Sequence, residues 1–217
     1  MTSLNIDLVS DFVCPWCFIG KARLARALAE VRAQRPDLEV RINWLPFFLN
    51  PDTPPAGESY RDFLEAKFGG ARKVDELHER VAKAGAPDVE FAFERIATRP
   101  NTLHAHRLTY RAQAHGQRPE RVAALTDALF AAHFQLGRNI GDIATLAEIA
   151  AECGDKADAV LAYLESDADV ATVKRMAAQV SKQGVTGVPF FILNRKLAVS
   201  GAQTPAALGA AILQALE

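Results

Sequence analysis

The sequence predicts an α/β fold: one mixed sheet in the order β-α-β … β-β-α, with a large all-helical segment inserted between its two strand-bearing halves. Three observations carry that prediction. Alternating Leu4, Ile6 and Leu8 give way to a helix-rich run and then to a second strand-like stretch at 38–45. A dense cluster of breakers, Asn50-Pro51-Asp52-Thr53-Pro54-Pro55-Ala56-Gly57, marks a boundary, and helical periodicity dominates from there to about residue 183. Strand character returns only at 189–199, and a last helix follows.

The elements justify themselves in order. Residues 4–9 form a short strand. Phe18 to Gln34 carries Leu24, Leu28 and Val31 at helical spacing, and Pro15 suits a first helical turn, where a missing N–H costs nothing. Arg35-Pro36-Asp37 ends that helix, and a right-handed crossover makes the first two strands parallel. Helices are expected at 60–68, 71–84, 102–115, 119–136, 143–153 and 167–183, most of them separated by glycines. Asn194-Arg195 reads as a tight turn between two strands, and Thr204 as the N-cap of a final helix at 205–216. The expected division is 1–51 with 184–217 as the sheet-bearing domain, and 52–183 as the helical insert.

Composition narrows the function. The chain of 217 residues is 49% hydrophobic and 24% charged, enough for a packed core. Its 25 basic and 26 acidic side chains leave a net charge of −1, so no electrostatic footprint points to nucleic acid or anionic membrane. No stretch approaches the roughly 20 apolar residues that span a bilayer, and the first ten residues lack the pattern of a secretory leader. The expected location is the cytoplasm. There, two cysteines of three spaced C-x-x-C are redox-active or metal-binding rather than structural.

Cys14 and Cys17 stand at the strand-to-helix junction. Residues three apart share a helix face, so the sulfurs can come within bonding distance. Unpaired N–H groups and the helix dipole favour an anion at the helix start, so Cys14 is the expected reactive thiolate. A thiolate stabilised there is also a better leaving group, which makes a Cys14–Cys17 disulfide more oxidising. Cys17, one turn in and more buried, is expected to keep a higher pKa and to resolve the mixed disulfide. The competing use is half a zinc site completed by His104 and His106, whose spacing is not the usual zinc pattern. Cys153, on a helix rich in Ala and Ile, reads as a buried small hydrophobe. Phe47, Phe48, Phe91, Phe93, Phe190 and Phe191 read as core, and the charges of Arg72 to Lys83 as a solvated helix face.

Over nearly its full length the chain resembles thioredoxin-fold oxidoreductases of DsbA type, and more narrowly their FrnE-like branch. The resemblance rests on Ser10-Asp11-Phe12-Val13-Cys14-Pro15-Trp16-Cys17-Phe18-Ile19-Gly20, on Phe48-Leu49-Asn50-Pro51 and on the run from Asn101 to Leu108. It ends with Gly184-Val185-Thr186-Gly187-Val188-Pro189-Phe190-Phe191 and Val199 to Gln203. It implies thiol–disulfide exchange or isomerisation by Cys14 and Cys17, with Pro15 and Trp16 completing the active-site motif. It implies a cis Pro189 at the start of the third strand, turning the Val188 backbone toward an extended substrate segment; the alternative is a trans proline at a strand start. Asn101 and His106 match positions that recur in this branch and in its glutathione-binding relatives, and are read as pocket-lining groups on the helical insert. The alternative for them is a helix N-cap and a buried hydrogen-bonded histidine. No tightly bound cofactor is implied; glutathione is open as redox partner or co-substrate. The expected partners are thiol- or disulfide-containing proteins or small molecules, and a homodimer is left open. The second functional reading is a glutathione-dependent transferase or isomerase of the kappa and hydroxychromene-carboxylate type. Those relatives carry serine where Cys14 stands and usually lack the second cysteine.

Overall fold

The computed structural model describes residues 3–86 and 88–217, so Met1, Thr2 and Pro87, the last of the expected Gly85-Ala86-Pro87 break, lie outside the described residues. By contacts the chain divides into two compact units, Met1–Phe47 with Met176–Glu217, and Phe48–Arg175.

The first unit holds β1 (Ser3–Ser10), α1 (Pro15–Gln34) and β2 (Glu39–Pro46). A four-stranded mixed sheet has the order β2-β1-β5-β6, with β5 at Phe190–Leu193 and β6 at Leu197–Ser200; α9 (Pro205–Ala215) closes the chain. β1 and β2 are parallel, as the crossover requires, and both later pairs are antiparallel. β1 is one of the two interior strands, and its Leu4, Ile6, Leu8 and Val9 are all at most 1% exposed. Each such side chain contributes about 1.5–3 kcal/mol by leaving water. Val9 packs with Val180 and Val185, while α1 lies against α9.

The hairpin loop is Asn194-Arg195-Lys196, closed by the Lys196 N–H donating to the Leu193 carbonyl, with Asn194 and Arg195 at left-handed φ angles of 50° and 57°. Asparagine tolerates that region because its short side chain bonds locally. Here the Asn194 amide donates to the carbonyls of Ser3 and Ala215 and its oxygen accepts from the Asn5 N–H, tying β1, the turn and α9 together. Thr204 caps α9, its hydroxyl accepting from the Ala207 N–H.

The second unit contains α2 (Tyr60–Phe68), α3 (Ala71–Gly85), α4 (Leu103–Ala114), α5 (Pro119–Phe134), α6 (Ile143–Glu152) and α7 (Ala157–Glu165). α8 (Val170–Lys182) begins in it and ends in the first unit. Two features depart from the sequence expectation. α7 is an additional helix whose N-cap, Lys156, offers no capping side chain, so the usual start signal is missing. Residues Glu58–Ser59 (β3) and Thr98–Arg99 (β4) pair as a two-residue antiparallel ribbon, too short for any periodicity to reveal. Cys153 also differs: it is half-exposed at the C-terminal end of α6 rather than buried. Of the phenylalanines expected in the core, Phe93 and Phe191 are buried. Phe91 and Phe93 stack face to face, with Phe134 edge-on to both.

Arg107 is the largest fully buried side chain, at 0% exposure. Its guanidinium donates to the carbonyls of Tyr163, Leu164, Ser166 and Ala168 and to His104 Nδ1, and lies over the Tyr163 ring. These carbonyls surround the C-terminal end of α7, the negative pole of its dipole. One buried cation therefore satisfies the groups that the helix end leaves open.

Candidate functional site

The site begins where β1 runs out. The Cys14 N–H donates to the Asp11 carbonyl at 3.1 Å, closing a tight turn. Cys14 itself is the extended N-cap of α1 (φ −94°, ψ 111°), with Pro15 in the first helical position. Its carbonyl accepts from the N–H of Cys17 at 3.0 Å and of Phe18 at 3.3 Å. The helix start therefore sets both cysteines on its first turn.

Both sulfurs are free thiols, and both residues are buried, Cys14 at 3% exposure and Cys17 at 2%. The expected difference in burial is therefore slight, since the chain around Cys14 covers it as well. Burial pushes the Cys17 thiol well above its ordinary range, and a hydrogen bond to Cys14 and the charge of that sulfur add to the shift. The Ser10 hydroxyl and the Asp11 backbone N–H oppose it by favouring the charged form. At neutral pH Cys17 is therefore held as a thiol beside Cys14.

On the other side of Cys14 stands the end of the loop that leads into β5. Cys14 Sγ lies 3.7 Å from the Val188 carbonyl oxygen, and the Val188–Pro189 peptide is cis. Gly20 makes this approach feasible: a Cβ there would meet Pro189 Cγ at 2.7 Å and the Phe191 ring at 3.3 Å. Gly20→Ala is expected to push the proline ring off α1 and to destabilise the protein by roughly 1–3 kcal/mol, the usual scale of overpacking. Denaturant unfolding measures that loss. Thiol reactivity of Cys14 measured beside it should change too, because the Val188 carbonyl moves with its neighbour.

Pro15 and Trp16 are half-buried on the first turn. Asn101 and His106 belong to the second unit. The Asn101 oxygen accepts from the Leu103 N–H at the start of α4, and its amide donates to the Thr53 carbonyl at 2.7 Å. His106 is 6% exposed and sits edge-on to Phe48. His104 Nδ1 faces the Arg107 guanidinium at 2.9 Å; arginine can only donate, so that nitrogen accepts and is taken. Among the described residues no group of three or more His, Cys, Asp or Glu is placed to hold a metal ion, and no helix is long and apolar enough to cross a membrane.

The fold that carries this thiol pair is shared with known proteins. The DSBA-like thioredoxin domain matches residues 5–213, nearly the whole chain. The chain belongs to this family. A probable DsbA oxidoreductase from Streptomyces coelicolor is 30% identical and superposes with a TM-score of 0.83, over 98% of this chain and 89% of that one. An uncharacterised Bacillus subtilis protein, YwbO, is 27% identical over 88% of this chain and 87% of its own length. The cytosolic disulfide reductase DsbM of Pseudomonas aeruginosa, at 19% identity, shares the fold with a TM-score of 0.60 over 98% and 95% of the two chains. DsbM has also been solved with GSH. Within the DsbA-like family, Ser10 and Gly20 are the residues of this site that motif reading passed over. Both lay inside the quoted run from Ser10 to Gly20, but only the packed structure shows what each one touches.

Proposed function

We propose that this DsbA-like protein is a thiol–disulfide oxidoreductase in which Cys14 attacks and Cys17 resolves. In the reducing direction the Cys14 thiolate attacks one sulfur of a substrate disulfide, forms a mixed disulfide and releases the first substrate thiolate. Cys17 then loses its proton and attacks Cys14 Sγ, breaking the mixed disulfide and releasing the second thiolate. Two electrons pass to the substrate and the protein is left with a Cys14–Cys17 bridge; the reverse sequence oxidises a dithiol. The observation that carries the reading is a pair of buried free thiols, Cys14 and Cys17, set on one helical turn. It supports a resolving thiol kept from reacting until a substrate occupies Cys14. The Val188 carbonyl, 3.7 Å from Cys14 Sγ, supports a docking edge for an extended substrate segment.

Cytoplasmic action and glutathione as a redox partner belong to the same proposal. Their support is the absence of a disulfide framework among three cysteines and the shared fold of DsbM, a cytosolic protein solved with GSH. For Asn101 we favour the helix-start role, because both ends of its amide are occupied. For His106 a place lining a substrate pocket stays part of the proposal, with Phe48 against its ring.

The decisive variant is Cys17→Ser. Incubated with a disulfide-bonded peptide, it is expected to accumulate a reductant-sensitive adduct on Cys14, visible by mass. Absence of that adduct would count against the exchange reading. Undiminished turnover of a glutathione adduct by the same variant would favour the transferase and isomerase reading instead.

A further inference from the structure

The exchange cycle proposed above leaves one step unsupported: Cys17 must become an anion in a place that resists charge. Ser10 ends β1, and its backbone carbonyl is occupied by the Phe47 N–H at 3.0 Å. Its side chain has no such partner. Ser10 is 3% exposed, and its Oγ is a buried polar atom that makes no hydrogen bond while the cysteines are thiols. The group it faces is the Cys17 sulfur, which is also approached by the backbone N–H of Asp11. A buried hydroxyl without a partner is costly, and native structures carry few of them without a reason. A neutral thiol is a weak acceptor, whereas a thiolate is a strong one.

We propose that Ser10 is a positioning residue for the resolving step: its hydroxyl, with the Asp11 N–H beside it, is a donor held in reserve for the Cys17 thiolate. The hydrogen bond strengthens only as Cys17 loses its proton, so it lowers the barrier to resolution without stabilising the resting thiol. An interaction made late in the step speeds that step, whereas one made equally in both states does not. Cys17, from α1, faces Cys14 on its own helix, and Ser10 and Asp11 from the end of β1. The inference rests on the exchange reading, and the test separates the two.

The probe is an aromatic nitrobenzoate disulfide, mixed with reduced protein carrying Cys153→Ser so that only the site reacts. Attack by Cys14 forms a Cys14–aryl mixed disulfide and releases one coloured thiolate. Cys17 then gives its proton to buffer and attacks Cys14 Sγ, releasing the second. Ser10→Ala is expected to leave the first phase unchanged and to slow the second by about tenfold or more, the scale of one hydrogen bond to a charged group. Ser10→Thr, which keeps a hydroxyl, should restore most of the rate. An unchanged second phase in Ser10→Ala overturns the inference. So does slowing of both phases together, or equal slowing by alanine and threonine, because a packing defect would act that way. If the protein with Ser10 intact releases only one thiolate, the exchange reading fails first.

Discussion

Cys14→Ser is expected to lower disulfide exchange by at least about a thousandfold, to the background of the uncatalysed reaction. Serine matches the size and the hydrogen-bonding geometry of cysteine at the start of α1, but oxygen forms no mixed disulfide. The backbone at this position is an extended N-cap whose carbonyl accepts from Cys17 and Phe18, and serine is a favoured N-cap residue. The helix should therefore form normally, and the melting temperature should move by no more than a few degrees. A coupled assay of insulin or peptide disulfide reduction, read beside thermal unfolding, checks both halves. Loss of fold together with activity would mean that Cys14 is structural. Retained activity would move the chemistry elsewhere, and Cys153, half-exposed on α6, would be the next thiol to test.

Arg107→Met is expected to cost roughly 3–5 kcal/mol, the range for stripping one partner from a buried charged contact. The methionine fills much of the same volume, so the loss is not a cavity effect. It comes from the carbonyls of Tyr163, Leu164, Ser166 and Ala168, which lose a donor at the end of α7. Against a typical total of about 5–15 kcal/mol, that is a large fraction. Arg107→Lys, with three donors and no planar fork, should fall between the two. Denaturant unfolding measures the series. The same contact has a pH signature. Burial, and then the Arg107 charge beside it, lower the His104 pKa from its usual 6.5. A depressed histidine binds its proton less readily in the folded state than in the unfolded chain. Stability is therefore full above the unfolded value and declines as pH falls through about 6.5 and below. In Arg107→Met the part of that decline owed to the arginine's charge should disappear.

Much of this architecture was legible before any coordinates. The alternation of Leu4, Ile6 and Leu8 marked a strand because a half-buried strand presents every second residue to the core. The positions of α1 to α6 followed from apolar spacing and glycine breaks, with ends moved by one or two residues where helices fray. Cys14-Pro15-Trp16-Cys17 was legible as a thiol pair on one helical turn because spacing along one helix start is local. What escaped was short or lacked a start signal. α7 has no capping side chain, and the β3–β4 ribbon is two residues on each side. Asn101 stands one residue before the Thr102 N-cap of α4, and its oxygen accepts from the Leu103 N–H.

The sequence by itself determined the order of the longer elements other than α7, the thiol pair and the family, all of which depend on patterns within a few neighbouring residues. Only the tertiary structure decided the burial of Cys14, the approach of Val188 to its sulfur, the need for glycine at 20, and the unpaired hydroxyl of Ser10 facing Cys17. It also decided the burial of Arg107 against α7, some 56 or more residues downstream. Each of these joins residues distant in the chain, and the energy of such contacts depends on distance and solvent exclusion, which no local pattern encodes.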